Sequence, residues 1–232
     1  MVVRQRGYLD HVRGLVYGEN PRYGWFEGAH FYHPVLGLEM SFPDGWRTSH
    51  THSALTGASP DQGGVLQLTL ARDAAGKSPG DYLVGLTTDG KIAGSRGGPE
   101  MLGTWPAWVG SLTVPNGQTG QASLVAAFVR VNPDVLLQIL GKGASPGDAH
   151  ERQVYASIRS VTNLTDPGRG MVQPPRIRIQ SAAAPGDFRG VYAQLGAGLV
   201  APEEAAIVNG VELDEAVMKG QWLKLPEAPK VH

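Results

Sequence analysis

The stretch of sequence from His33 to Arg47, HPVLGLEMSFPDGWR, decides how the middle of this chain folds. Hydrophobic residues take every second position from Leu36 to Phe42, which is the period of a strand with one face in a core. Pro43-Asp44-Gly45 follows, and it combines a fixed φ, a side chain that bonds its own backbone and a residue that tolerates positive φ. We therefore predict a strand, a turn and a hairpin that returns Trp46 to the apolar face.

Composition and charge narrow the class of protein. The chain has 232 residues, and 20 basic against 21 acidic side chains leave a net charge of -1, which argues against a nucleic-acid-binding surface. The 32 glycines and 17 prolines favour short strands joined by turns, so we expect an α+β fold in two folded units. There is no cysteine, which excludes disulfides and thiolate chemistry.

The sequence as given carries no membrane or targeting signal. No run approaches the roughly 18 apolar residues of a membrane-spanning helix. The first residues, MVVRQRGYLDH, lack the apolar core of a signal peptide. We expect no membrane span, and the sequence leaves open whether Met1 is the native start.

An amphipathic helix is predicted near the start of the chain. Residues 5–17 place apolar side chains at helical spacing, and Gly18 ends the pattern. A helix of about 13 residues is marginal in isolation and must dock on another surface. If that surface lay outside this sequence, Leu9, Val12 and Val16 would be exposed.

The residues after the opening hairpin predict a mixed domain. Ser78-Pro79-Gly80-Asp81 has the cap, the proline and the acidic residue of a helix start, and Ser145-Pro146-Gly147-Asp148 repeats that pattern before a last helix. Apolar residues nearly fill both faces of residues 65–70, which predicts a central strand. Further strands are predicted at two segments around Gly97-Gly98-Pro99, the second from Trp105 to Val114, and at 121–131 and 134–140, with a turn at Asn132-Pro133.

A second small unit is predicted after residues 165–175, whose proline and glycine content is typical of a linker. It is expected to form a strand from Arg176, two short helices that start near Pro185 and at Pro202, and a closing strand at 221–225. We therefore divide the chain into a helix and connector at 1–31, an α/β domain at 32–164, the linker at 165–175 and a βααβ module at 176–228.

This small module resembles the LysM type. The resemblance rests on Pro185-Gly186-Asp187 before the first helix, on Asn209-Gly210 after the second, and on the ending GQWLKLP at 220–226. It departs from the family at Phe188, where LysM modules usually carry threonine. The resemblance implies a βααβ fold and a glycan groove, whose residues here would be Gly186, Asp187, Phe188, Asn209 and Gly210. The same five residues are also typical helix caps and turn positions.

A further resemblance concerns the start of the chain and the order of its parts. It is to the region just after the catalytic domain in predicted bacterial HtpX-like zinc metallopeptidases that end in a LysM-like tail. The segments that carry it are Gly14-Leu15-Val16-Tyr17-Gly18, Asn20-Pro21, Gly24, Phe31-Tyr32-His33-Pro34 and Phe42-Pro43-Asp44-Gly45-Trp46. The middle domain is also similar to PsbP-like α/β sandwiches with an antiparallel sheet.

The resemblance to a peptidase does not extend to its chemistry. Such enzymes need His-Glu-x-x-His on a helix, where two imidazoles hold zinc and the glutamate activates water. None of the seven histidines here stands in that arrangement. The resemblance therefore implies a zinc-bearing catalytic domain outside these residues, with no catalytic residue, metal ligand or cofactor within them. By itself this chain is therefore not expected to hydrolyse peptides, and whether it has another enzyme activity stays open.

Two functions follow from the resemblances. One is a non-catalytic accessory region that positions or regulates proteolysis by a peptidase domain, in the same or another chain, at the bacterial cell envelope or in the periplasm. The other is a free-standing protein that binds peptidoglycan through the LysM-like module. A third possibility, an independent enzyme, requires Trp46, Tyr82, Trp105 and Trp108 to line a pocket, although such aromatic side chains are more often core.

A metal site is a further alternative near the opening stretch. Its candidate ligands are His30, His33, His50, His52, Glu27 and Asp44. Histidine and carboxylate ligands suit zinc when they converge. A histidine in a turn and histidines on an exposed strand edge explain the same residues without a metal.

Overall fold

The computed structural model describes residues 3–51, 53–71, 76–117, 120–196 and 199–228. Within them the chain forms two compact units. The larger unit runs from Tyr23 to Met171, and the smaller unit combines the residues up to Arg22 with those from Val172 onward. His52, one of the candidate metal ligands, lies outside the described residues.

Short helices and antiparallel strands make up both units. The helices are α1 Val3–Val12, α2 Pro79–Thr88, α3 Ala149–Arg159, α4 Pro167–Gly170, α5 Phe188–Gln194 and α6 Pro202–Asn209, with 3-10 turns at Pro21–Tyr23 and Pro34–Leu36. The strands are β1 Trp25–Glu27, β2 His30–His33, β3 Leu38–Ser41, β4 Arg47–His50, β5 Ala54–Ala58, β6 Val65–Leu70, β7 Gly94–Leu102, β8 Trp105–Asn116, β9 Gly120–Asn132, β10 Val135–Lys142, β11 Thr162–Asn163, β12 Arg176–Ser181, β13 Gly186–Asp187, β14 Ala216–Val217 and β15 Trp222–Glu227. The described strand pairs are antiparallel, which confirms the predicted α+β class.

The larger unit is built on a seven-stranded sheet in the order β4-β5-β6-β10-β9-β8-β7. A four-stranded sheet, β1-β2-β3-β11, and helix α3 cover one face, where Met40, Ile139 and Val154 share one core. Helix α2 covers the other face, where Tyr82 packs with Phe128. Successive residues of β9 alternate between these two cores, as the period of a strand requires.

The opening stretch forms the predicted strand and turn, but not the hairpin. Met40 and Phe42 are buried, and Trp46 returns to the same core after the turn. However, β3 pairs with β2 and β11, whereas β4 pairs with β5, so the turn carries the chain from the small sheet to the large one. Gly57 of β5 makes this possible, because a side chain there would collide with the ring of Phe42 at 2.6 Å.

Other predicted boundaries also shift. The predicted division into two strands around Gly97-Gly98-Pro99 is wrong in its position, because β7 runs through these residues to Leu102 and pairs with β8. Gly97 instead permits close approach of the two strands, since a Cβ there would lie 2.2 Å from the carbonyl oxygen of Val109. The cap of α3 is Asp148 rather than Ser145, because its carboxylate accepts the Glu151 N–H at 2.7 Å.

The connector and linker predicted at 20–32 and 165–175 contain regular structure. Strands β1 and β2 lie in the first and pair with each other. Helix α4 lies in the second, and its Arg169 pairs with Glu27 and stacks 3.9 Å from the ring centre of Tyr32. Strands β1 and β2 and helix α4 therefore belong to the larger unit.

The smaller unit has the predicted strand-helix-helix-strand order. β12 pairs with β15 along its whole length, and α5 and α6 pack on that pair around the buried Phe188 and Leu225. A short additional pairing joins β13 to β14.

Helix α1 and the segment after it pack on β12. Leu9 is only 7% exposed and shares a cluster with Ile177 and Ile179, so the predicted docking surface for Leu9 lies within this sequence. The Gly14 N–H donates to the Ile177 carbonyl at 2.8 Å, and the Tyr17 N–H donates to the Pro175 carbonyl at 2.9 Å. The start of the chain thus extends the sheet of the smaller unit.

Candidate functional sites

The larger unit has an apolar cavity of about 360 Å³ that opens to solvent. It is lined by residues of β2, β5, β6 and β10 and of the turn Pro34–Leu36. Its buried lining side chains include Phe31, Leu55, Leu68 and Leu137. Its exposed apolar lining side chains are Tyr23, Val35 and Leu70. A mostly apolar wall with few polar groups is typical of a site for a small apolar ligand or side chain.

Two histidines, His33 and His50, also line this cavity. The Nδ1 atom of His33 accepts the Leu36 N–H at 3.2 Å, and burial lowers the pKa of His33 below its usual 6.5. The imidazole is therefore neutral at neutral pH, with its proton on Nε2 as a hydrogen-bond donor. His33 thus adds a neutral polar ring to a mostly apolar lining.

The sequence did not reveal the cavity because its lining comes from segments that are far apart in the chain. Leu70 belongs to a strand that was predicted to be apolar on both faces and central, yet its side chain is 56% exposed. Val35, next to Pro34 in a turn, is 52% exposed. An apolar residue in a turn is the signal that could have pointed to this site.

The candidate metal ligands do not converge on one point. His30 Nδ1 bonds to Ser41 Oγ at 3.0 Å, His33 Nδ1 bonds to the backbone, and Glu27 pairs with Arg169. Asp44 is exposed in its turn. Among the described residues no group of three or more histidine and acidic side chains is placed to hold a metal ion.

The four aromatic residues considered for a pocket lie in two separate cores. Trp46 and Trp105 are buried between the two sheets. Tyr82 of α2 and Trp108 of β8 are buried on the opposite face. They do not line one cavity.

The predicted glycan residues at the start of α5 carry structural roles. The Asp187 carboxylate caps α5 by accepting the Gly190 N–H at 2.6 Å. Phe188 is completely buried and stacks on Tyr192 with 5.9 Å between ring centres. Gly186 pairs with Val217.

The predicted residues at the end of α6 are also engaged in the fold. Asn209 bonds both backbone groups of Lys224, accepting the N–H and donating to the carbonyl, each at 2.8 Å. Gly210 ends α6 with φ of 70°, a conformation that favours glycine. These contacts tie α6 to β15.

A groove of about 410 Å³ runs beside α6 in the smaller unit. Of the five predicted glycan residues, Gly210 lines it. The start of α5 borders it, because the Phe188 N–H donates to the carbonyl of Glu215, another lining residue. Sequence reasoning missed Ile207, which also lines the groove and is 80% exposed. A large apolar side chain on the solvent face of a short helix was the available signal.

No protein-family model and no curated protein matches the chain. Among solved structures, the chain is similar to that of the cyanobacterial PsbP (CyanoP) from Synechocystis, with 10% identity and a TM-score of 0.43, over 60% of this chain and 94% of that one. This weak similarity agrees with the predicted PsbP-like fold of the middle domain, and it carries no functional argument. No helix among the described residues has the length and apolar character to cross a membrane.

Proposed function

We propose that this chain is a non-catalytic accessory region that works with a zinc metallopeptidase domain, in the same or another chain, at the bacterial cell envelope. In this proposal the larger unit holds apolar segments of a polypeptide, and zinc belongs to the peptidase domain. The apolar cavity is the observation that carries the proposal. The order of the sequence motifs, with the opening stretch before a LysM-like module, supports the peptidase partner.

The cavity suits an apolar side chain presented by an extended polypeptide. Its buried residues offer apolar contact, which contributes roughly 25 cal/mol for each Å² removed from water. The neutral ring of His33 lines the cavity, and in this proposal its Nε2–H donates a hydrogen bond to a peptide carbonyl. A charged group is less suited to this cavity, because it would give up hydration against a mostly apolar lining.

Binding of the uncharged dye N-phenylnaphthylamine, and its displacement by a short leucine-rich peptide, tests the cavity. We expect the dye fluorescence to rise saturably with the parent protein. The affinity for the dye should fall about tenfold in Leu70→Lys, because an ammonium group then lies at the rim of the cavity. Val84→Lys is the control, since Val84 is 64% exposed on α2 and lies away from the cavity lining. No saturable uptake, or an equal loss in the control, contradicts the proposal. Chelator-sensitive proteolysis by the purified chain contradicts its non-catalytic part.

A second candidate function is peptidoglycan binding by the smaller unit, and the groove beside α6 favours it. Retention on purified cell-wall sacculi tests it, with Ile207→Asp expected to abolish retention because Ile207 lies exposed in the groove. Met218→Asp is the control, since Met218 is 66% exposed and does not line the groove. Substitution at Asp187 or Asn209 is a poorer test, because both residues stabilise the fold. Absence of retention excludes this function.

A further inference from the structure

A groove of about 610 Å³ lies between α3 and the strands β7 and β8 of the larger unit. Three arginines line it, Arg96 from β7 and Arg152 and Arg159 from α3. Glu100 is the acidic residue that lines it among the described residues. The groove therefore holds an excess of positive charge in a chain whose net charge is -1.

The two arginines of α3 are held in place by neighbours. Arg159 pairs with Glu100 through two contacts of 3.1 and 3.4 Å, and its guanidinium lies 5.7 Å from the ring centre of Tyr155. Arg152 donates to the Gly147 carbonyl at 2.6 Å. These contacts fix the positive groups on the helix wall and reduce the conformational entropy that a ligand would have to remove.

The opposite wall leaves open space between the charges. Gly98 pairs with Val109, and directly paired residues of two strands point to the same face of the sheet. Val109 packs in the same core as Val154 of α3, so this face of Gly98 is turned toward α3. A Cβ on Gly98 would meet no atom within 4 Å. The strand is therefore free of side-chain bulk at this point, next to the exposed Arg96.

We propose that this groove binds a small molecule with two or more oxyanionic groups, carboxylate or phosphate. Guanidinium groups bind such oxyanions through paired, charge-assisted hydrogen bonds. The volume suits a small ligand. A nucleic acid is not favoured, because its phosphates require a longer basic stripe than these three arginines supply. The proposal stands independently of the apolar cavity and of the peptidase partner.

Titration calorimetry with pyrophosphate and with citrate, at about 50 mM salt, tests the site and separates phosphate from carboxylate preference. We expect saturable binding of at least one anion by the full chain. Arg96→Gln is expected to lower the affinity about tenfold. Arg47→Gln, which removes an exposed arginine of β4 outside the groove, is expected to have no effect.

Glu100→Gln is expected to raise the affinity, whereas a loss of structure would lower it. The substitution removes the negative charge from the groove and frees the Arg159 guanidinium for the ligand, so the affinity is expected to rise several-fold, up to about tenfold. Absence of saturable binding, an equal loss in Arg47→Gln, or weaker binding by Glu100→Gln overturns the proposal.

Discussion

The two units are put together from the chain in different ways. The larger unit is one uninterrupted stretch, Tyr23 to Met171, in which most strands pair with a near neighbour in sequence. The smaller unit joins the two ends of the chain, and its Tyr17 and Glu204 bond across 187 positions. Patterns in the sequence reveal pairs of near neighbours, such as β9 with β10, and they do not reveal the contact of residues 14–17 with residues 175–177.

The two units also differ in the size of their cores. The larger unit has an apolar core on each face of a seven-stranded sheet. The smaller unit depends on a two-stranded sheet and two short helices. A small core has little stability in reserve, so single side chains decide whether it folds.

The largest effect is expected for Phe188→Ala in the smaller unit. Phe188 is completely buried, and truncating a buried phenylalanine costs about 3–5 kcal/mol. We expect the smaller unit to unfold while the larger unit keeps its urea transition, since the two cores share no residue. Phe188→Leu is the control and should lose less stability. A stable Phe188→Ala protein would support a surface role for this residue.

A smaller loss is expected for Leu9→Ala in α1. Leu9 packs on Ile177 and Ile179, so its truncation should lower the free energy of unfolding of the smaller unit by about 2–3 kcal/mol. Urea denaturation followed by tryptophan fluorescence measures the change. Leu15→Ala is the control, because Leu15 is 54% exposed. Equal losses for the two variants would refute the docking of α1 on β12.

Two adjacent glycines of β7 test the pairing of β7 with β8 in the larger unit. A Cβ at Gly97 meets the Val109 carbonyl oxygen at 2.2 Å, whereas a Cβ at Gly98 meets nothing within 4 Å. We expect Gly97→Ala to destabilise the larger unit by about 2 kcal/mol and Gly98→Ala to have little effect. Thermal unfolding of the two variants gives the comparison. A large effect at Gly98 would show that the strand pairing of β7 and β8 is different.

The smallest effect is expected for Tyr17→Phe. The hydroxyl of Tyr17 donates to Glu204, which raises the pKa of Tyr17 from 10.0 to about 12. The protonated phenol is therefore favoured in the folded state, and its contribution is fully present below pH about 10 and lost as the pH rises toward 12.

Tyr17→Phe should therefore lower stability by about 1 kcal/mol at neutral pH, and the difference from the parent protein should shrink above pH 10. Urea denaturation of the parent protein and of the variant, at neutral pH and at pH about 11, measures the loss of stability and its dependence on pH. A difference that stays constant with pH would show that the hydroxyl bond does not form.

Several elements could be predicted from the sequence because their signals are local. The Ser78 side chain caps α2 as predicted, and β9 and β10 form the predicted pair. The βααβ order of the smaller unit follows from its prolines and its glycine cap. In each case the deciding residues lie within one turn of the element they specify.

Other features could not be predicted because they depend on distant partners. The predicted hairpin at the opening stretch does not form, because β4 pairs with β5, where Gly57 leaves room for the ring of Phe42. Phe188 was considered a binding residue, and only its surroundings place it in a core. The apolar cavity and the arginine groove each gather residues from several segments.

Amide hydrogen exchange in the full chain tests the joining of the two ends most directly. The N–H groups of Gly14 and Tyr17 donate to the backbone at Ile177 and Pro175, so they should be protected. We predict that Phe188→Ala abolishes this protection and that Phe128→Ala, which disturbs the core of the larger unit, leaves it in place. Fast exchange of Gly14 and Tyr17 in the parent protein, or protection that survives Phe188→Ala, would contradict the packing of residues 14–17 on the core of the smaller unit.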